Sequence, residues 1–185
     1  DVAPSRGLGD VYKRQAQPWA LTPEAYGKFL CGLFDVYYRD WVNGDYTSVR
    51  LFDDYIHMAM GMPAGTCATS GSCGAYFVVE GDGTVYPCDF YCLDEWKMGR
   101  IGEQSIPELA NSEKARLFLQ QGERKPDACA DCRWYSLCHG GCKRDWVEND
   151  GKLENYSCLA FKEFFAYAES RILEIARAEA EYYRR

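Results

Sequence analysis

Ten cysteines in 185 residues constrain this chain more than any other feature of its sequence. Four of them lie within fourteen positions, in the run CADCRWYSLCHGGC from residue 129 to residue 142. Disulfide-rich chains are usually short and secreted, whereas metal-binding cysteines tend to occur in C-x2-C pairs. The apolar fraction of 47% is enough for an ordinary core, and the start of the chain lacks an apolar leader. We therefore expect a metal framework rather than disulfides or scattered free thiols.

Charge and hydropathy exclude two classes of partner. The net charge of −7 argues against nucleic acid, since phosphate binding needs a basic face. No apolar run approaches the ~20 residues of a membrane span, so we expect a soluble, cytoplasmic protein without a membrane partner. The length predicts one domain, or one domain with a partial second.

The first fifteen residues, DVAPSRGLGDVYKRQ, differ from the rest of the chain. They show neither helical nor strand periodicity, and DVYKRQ resembles a translated sequencing adapter. We expect residues 1–15 to be non-native or disordered, and we set them aside from the fold prediction.

Local patterns then predict a mixed α+β fold. A helix capped by Thr22, with Pro23 at its first position, should end at VNGDY, and a last helix should begin near Cys158. Between them we expect a strand at SVRLF and a helix at DDYIHMAMG that is closed by Gly61. We then expect a hairpin at AYFVVEGDGTVYPC, whose Pro87 suits an edge strand. A capping box predicts a further helix from Ser105 to about Gln120.

Eight of the ten cysteines would be enough to form two centres of four thiolates each. One zinc held by Cys129, Cys132, Cys138 and Cys142 is geometrically possible. The four cysteines left over could form a second site only by joining distant segments; they are Cys67, Cys73, Cys88 and Cys158. Iron–sulfur clusters commonly interleave instead, so that the last cysteine of a run serves the other cluster. The number of cysteines alone leaves both arrangements open.

The spacing itself carries a resemblance to a known family. The pattern Cys67-x5-Cys73-x14-Cys88, followed by C-x2-C-x5-C-x3-C-x15-C from Cys129 to Cys158, resembles the SPASM region of radical S-adenosylmethionine enzymes. Within that group, EGDGTVYPCDFYCLDEWKMGRIGE resembles the anaerobic sulfatase-maturating enzymes. The resemblance implies a remnant of the partial α/β barrel and a linker at 16–62, a SPASM domain at 63–166 and a C-terminal helix at 167–185.

The resemblance also implies cofactors and roles. It implies two auxiliary 4Fe–4S clusters and makes Asp89, in YPCDF, the general base that takes a proton from the substrate side chain. We expect this carboxylate to be partly buried, and the alternative is an aspartate that only forms a turn or caps a helix. By motif position, the first cluster would be held by Cys67, Cys73, Cys88 and Cys142, and the second by Cys129, Cys132, Cys138 and Cys158.

Several neighbouring residues are given supporting roles. Gly140 and Gly141 would adopt positive φ and bring backbone N–H groups to cluster sulfur, or simply make a turn. Trp134 and Tyr135 would be core or cluster-shielding aromatics, and His139 a surface or supporting residue rather than a ligand. The two remaining thiols, Cys31 and Cys92, would be a helix-core thiol and a free thiol.

One family motif is missing from the sequence. A radical S-adenosylmethionine enzyme needs a C-x3-C-x2-C loop, and the sequence contains none. We therefore expect a truncated reading frame that does not cleave the cofactor alone. S-adenosylmethionine and a third 4Fe–4S cluster would belong to the full-length parent, an oxidoreductase of an anaerobic bacterium. Its partners would be a sulfatase polypeptide, oxidised at a cysteine or serine to formylglycine, and an electron carrier such as ferredoxin or flavodoxin.

Three other functions stay open from the sequence. The chain would also fit a SPASM enzyme that matures a ribosomal peptide, although YPCDF argues against it. A standalone iron–sulfur electron-transfer module and a zinc-stabilised interaction domain are the alternatives from other classes.

Overall fold

The structure, a computed structural model, describes residues 20–74 and 76–182, so the predicted adapter segment at 1–15 lies outside the described residues. The described residues form two compact units. The helical unit consists of residues 20–71 and 125–182, and the central unit of residues 72–124. Helices and small antiparallel sheets together make the α+β fold that was predicted.

The helical unit begins with helix α1, Pro23–Asn43. The Thr22 side chain accepts a hydrogen bond from the Ala25 N–H, and Pro23 occupies the first turn, where no N–H partner is needed. Gly44 ends the helix in the left-handed conformation, with φ of 79°. Both predicted ends are confirmed.

Helix α2 spans Arg50–Ala59, so the strand predicted at SVRLF was wrong. Val49 is extended, but the chain turns helical directly after it. Phe52, Tyr55 and Ile56 are then buried at helical spacing. Burial of this face overrides the β preference of the short apolar run. A single turn, α3, follows at Cys67–Ser70.

The central unit contains the predicted hairpin, formed by β1 (Val78–Val79) and β2 (Thr84–Tyr86). A third strand, β3 (Gly99–Arg100), pairs with β2 on its other side, in the order β1-β2-β3. The prediction of an edge strand before Pro87 was therefore wrong. Pro87 follows the last paired residue, where its missing N–H removes no bond from the ladder.

Two 3-10 turns, Asp89–Tyr91 and Asp94–Trp96, follow the hairpin. The predicted helix from Ser105 is divided into α4 (Ile106–Ala110) and α5 (Glu113–Glu123). The capping box of Ser105 and Glu108 forms as predicted. The break occurs because the Ser112 side chain caps a new helix by accepting from the Ala115 N–H.

The chain then returns to the helical unit. The 3-10 turn Asp127–Cys129, helix α6 (Tyr135–Cys138) and the 3-10 turn Lys143–Asp145 follow one another. An unpredicted hairpin joins β4 (Trp146–Asn149) to β5 (Lys152–Asn155) through Asp150 and Gly151, both at positive φ. Helix α7, Cys158–Tyr182, ends the described chain and begins where predicted.

The core of the helical unit lies between α1, α2 and α7. Phe34, Phe52 and Phe164 are fully buried, and their ring centroids lie 5.1–5.5 Å apart. This aromatic cluster fixes the first turns of α7, where Cys158 lies. No helix in the described parts of the chain is long and apolar enough to cross a membrane. The domain limits at residues 63 and 166 stay a prediction, and α7 runs continuously past residue 166.

Phe34→Ala should destabilise the helical unit by about 3–5 kcal/mol, because it empties a fully buried ring site. For a chain of this size the apparent melting temperature should fall by about 10 °C. Phe29→Ala makes the same change on the same helix, but Phe29 is 54% exposed. Circular dichroism melts should show little effect for Phe29→Ala, and equal losses for the two variants would contradict this assignment of the core.

Candidate functional site

Four cysteines of the helical unit line one cavity. They are Cys129, Cys132, Cys138 and Cys158. The first three are held on successive backbone turns, in which Cys132 N–H donates to Cys129 O at 3.3 Å and Cys138 N–H donates to Trp134 O at 3.0 Å. Cys158 enters from the first residue of α7. The structure thus brings together residues separated by 29 positions, and this is the set that the family resemblance gave to one cluster.

Gly140 lines this cavity, and Gly141 follows it in the chain. Gly140 and Gly141 have φ of 86° and 68°, as expected. A Cβ on Gly140 would lie 3.3 Å from Cys129 Sγ, and one on Gly141 would lie 2.7 Å from Asn155 Nδ2. Both positions therefore require glycine for conformation and for space. The Gly140 N–H also donates a hydrogen bond to Cys138 Sγ.

Burial raises the pKa of three of these thiols, those of Cys129, Cys138 and Cys158. Burial raises the pKa of Cys138 to about 12, although the Gly140 N–H opposes the shift. Burial is the largest cause of the raised pKa of both Cys129 and Cys158. The neighbouring thiol of Cys132 adds to both shifts, and the charge of Lys162 opposes them. Iron binds thiolates, so binding at this site would release protons.

The cavity wall contains a buried hydrogen-bond donor without a partner. Trp134, Tyr135, Phe161 and Phe165 line the cavity beside the thiols. Among the described residues, Trp134 Nε1 is a buried side-chain donor that makes no hydrogen bond. A buried N–H without an acceptor is costly, and sulfur is an acceptor. Four thiols, apolar walls and a spare donor are a donor set that fits an iron–sulfur cluster.

Two further cysteines of the helical unit lie near each other. Cys67 begins α3, and Cys142 precedes the 3-10 turn Lys143–Asp145. Burial raises the pKa of Cys142 to about 11, the Arg144 N–H opposes this, and the charge of Cys67 adds to it. His139 lies nearby at positive φ, and its Nδ1 is 2.8 Å from Thr69 O.

A buried carboxylate holds the loop that carries Cys67. Asp54 is 3% exposed, and it accepts hydrogen bonds from Gly65 N–H, Thr66 Oγ1 and Thr69 Oγ1 at 2.8, 2.8 and 2.5 Å. Burial alone would raise the pKa of Asp54, but these bonds outweigh burial and lower it. The sequence analysis missed this residue, because its partners lie 11 to 15 positions away and no local pattern marks them.

The central unit contributes Cys73 and Cys88. Both pack at the margin of a cluster formed by Tyr86, Tyr91, Trp96 and Phe118. A Cβ on Gly122 would lie 2.7 Å from Cys73 Sγ, so glycine is needed beside this thiol. Cys67 and Cys142 therefore belong to one unit, and Cys73 and Cys88 to the other.

Asp89 lies next to Cys88 as the first residue of a 3-10 turn. Cys88 Sγ donates to Asp89 Oδ1 at 3.3 Å. The carboxylate is exposed, so the expectation of partial burial was wrong. The turn places it outward because Cys88 and Tyr91, on either side, take the inward positions.

The remaining thiols occupy apolar margins. Cys31 packs against the core of the helical unit and Cys92 against the core of the central unit. Burial, with help from Glu80 and Asp89, raises the pKa of Cys92 to about 11. None of the ten cysteines, all of which lie among the described residues, forms a disulfide. Across the described residues, no three or more His, Cys, Asp or Glu side chains form a group that could hold a metal ion. That finding concerns a single ion, whereas a four-iron cluster binds each thiolate through a different iron.

Comparison with known proteins gives a consistent family. Residues 71–133 match the SPASM family, an iron–sulfur cluster-binding domain. The chain is 40% identical over 172 residues to a cysteine-type anaerobic sulfatase-maturating enzyme of Clostridium perfringens (strain 13 / Type A), covering 91% of this chain and 46% of that protein. A serine-type anaerobic sulfatase-maturating enzyme of Bacteroides thetaiotaomicron is 30% identical over 155 residues, covering 80% and 36%.

Solved structures agree with these sequence relatives. Native anSMEcpe with bound AdoMet and Kp18Cys peptide superposes with a TM-score of 0.81 at 40% identity, over 88% of this chain and 46% of that chain. The chain spans about half the length of the curated relatives it matches.

Asp54→Asn should lower the free energy of unfolding by about 1–3 kcal/mol at pH 7, because an amide group cannot replace all the acceptors that the loop uses. The pKa of Asp54 is lowered in the folded protein. The stability that its carboxylate contributes is therefore fully present above the ordinary pKa of 3.8 and is lost as the pH falls through the folded pKa. Urea unfolding at pH 7 and at decreasing pH tests this. Exposed Asp45 provides the control, and an equal effect of Asp45→Asn would contradict it.

Proposed function

This chain belongs to the family of anaerobic sulfatase-maturating enzymes, and from that premise we propose that it is the iron–sulfur region of an enzyme that oxidises a sulfatase cysteine or serine to formylglycine. One observation of the structure carries the proposal: the four cysteines from the 129–138 run and from α7 line a single cavity. The relatives include both cysteine-type and serine-type enzymes, so the substrate residue is proposed as either.

The second auxiliary 4Fe–4S cluster would be held by these four thiols. Their turns and glycines fix four separate sulfur positions on one cavity wall. Aromatic side chains on the same wall limit the access of water, which protects a cluster from hydrolysis and influences its potential.

The first auxiliary cluster would be held by Cys67, Cys73, Cys88 and Cys142. This assignment rests on the motif positions of the family, and each pair is supported within its own unit. The charge of Cys67 acts on Cys142, while Cys73 and Cys88 share one apolar cluster. The 129–142 run would then supply ligands to both clusters, because Cys142 would bind the first cluster and the other three cysteines of the run would bind the second.

Asp89 would act as the general base. When bound, the auxiliary clusters supply a one-electron acceptor. The exposed Asp89 carboxylate is accessible to a polypeptide substrate and would take the proton of the substrate thiol or hydroxyl as the radical at its β-carbon is oxidised. Its attachment to Cys88 would place this proton transfer one residue away from a cluster ligand.

Radical generation is proposed for the full-length protein. S-adenosylmethionine and a third cluster would bind the C-x3-C-x2-C loop that this sequence lacks. A sulfatase polypeptide would be the substrate, and ferredoxin or flavodoxin the electron partner. Ten cysteines without a disulfide and oxygen-sensitive clusters suit a reducing compartment, so we propose that the reaction occurs in the cytoplasm.

Substitution of single cysteines should separate the two clusters. The anaerobically reconstituted chain should bind about eight irons. Cys138→Ala and Cys142→Ala should each lose about four irons, but from different clusters, so the EPR signals that remain in the reduced variants should differ. Cys92→Ala, which removes a thiol without a proposed ligand role, should keep all of the iron.

Other metal contents would contradict this proposal. Two zincs per chain without visible absorbance would support the zinc-stabilised interaction domain instead. If Cys138→Ala and Cys142→Ala lost the same EPR signal, the division of the run between two clusters would be contradicted.

Asp89→Asn should lower formylglycine formation by about 10²- to 10⁴-fold in the full-length protein, because the amide group cannot accept the substrate proton. Iron content and S-adenosylmethionine cleavage should persist. Mass spectrometry of a sulfatase peptide measures the product. Asp94→Asn is the matched control, since Asp94 begins the next 3-10 turn and is bound to exposed Lys97. A wild-type rate in Asp89→Asn would exclude the role.

A further inference from the structure

The N–H of the Trp134 indole is a buried group to which the proposed reaction gives no role. Its Nε1 atom is buried and has no hydrogen-bond partner among the described residues. Two other indoles of the helical unit are satisfied: Trp41 Nε1 donates to Glu179 Oε1 at 3.1 Å, and Trp146 Nε1 donates to Gly140 O at 2.8 Å. A buried N–H group without an acceptor destabilises a fold, so a bound group is the natural acceptor for Trp134.

The contacts of the ring restrict where this acceptor lies. Phe165 stacks on Trp134 with a centroid distance of 6.4 Å and an interplanar angle of 25°. The Arg133 guanidinium lies over the ring, 4.9 Å from its centroid. Both contacts are made to a face of the indole, whereas the N–H lies in the ring plane. Neither neighbour therefore takes the hydrogen bond.

The Trp134 indole is part of the lining of the four-thiol cavity. Trp134 and Phe165 both line it, together with Cys132 and Cys138. Trp134 is also fixed relative to these cysteines, since its carbonyl accepts from the N–H groups of Leu137 and Cys138, each at 3.0 Å. A group held by the four thiols would therefore lie in the cavity that this indole lines.

We propose that Trp134 Nε1–H donates a hydrogen bond to a sulfur of the cluster held by Cys129, Cys132, Cys138 and Cys158, and thereby raises the reduction potential of that cluster. The inference rests on the proposed function, because it needs the cluster. Reduction adds negative charge to the cluster sulfurs, so a donor stabilises the reduced state more than the oxidised state.

Trp134→Phe removes the N–H and keeps an aromatic ring in the wall. In the iron-loaded protein, an EPR-monitored redox titration should show the potential of this cluster shifted to a more negative value. The signal is identified as the one that Cys138→Ala removes. Trp41→Phe makes the same substitution at an indole that already has a partner, and it should leave the potential unchanged. An unchanged potential in Trp134→Phe, or an equal shift in Trp41→Phe, would overturn the inference.

A measurement on the wild-type protein tests the same inference without requiring that a variant folds. Protein that carries ¹⁵N in its tryptophan indoles is reduced and studied by pulsed EPR. A ¹⁵N coupling to the cluster is expected, and its absence would overturn the donor assignment. An iron-free wild-type protein would instead refute the proposed function, so the two failures are distinguishable.

Discussion

Convergence of four partly buried thiols on one cavity is the constraint on which the helical unit depends. Three of them lie on consecutive turns between residues 129 and 138, and the fourth comes from the start of α7. Burial raises the pKa of the Cys138 thiol, so without metal this thiol is protonated near neutral pH. A protonated thiol is only a weak hydrogen-bond donor. Metal ligation would connect the turns and α7 covalently, and the folding of such segments is expected to depend on metal.

The aromatic core places the metal ligands. Phe164 packs with Phe34 and Phe52, while its neighbour Phe165 stacks on Trp134 at the cavity wall. The same turns of α7 therefore contribute to the core of the unit and to the lining of the site. A change in the core would be transmitted to Cys158 and to the cavity through this helix.

Local signals predicted those elements whose causes are local. The Thr22 cap, the Ser105 capping box and the glycine turns all depend on residues within four positions. The strand predicted at SVRLF failed because burial of Phe52 against α1 and α7 decided the conformation. Strand β3 was missed because two residues carry no periodicity, and its pairing with β2 depends on residues more than ten positions away.

The sequence by itself determined the number of thiols and their spacing, which carry the match to the SPASM family model and name the residues proposed as ligands. The tertiary structure decided which groups meet. It brought Cys158 to the 129–138 turns, joined Asp54 to the loop of Cys67, exposed Asp89 and left the Trp134 N–H without a partner. Contacts of this kind depend on packing between distant segments, and no spacing rule encodes that packing.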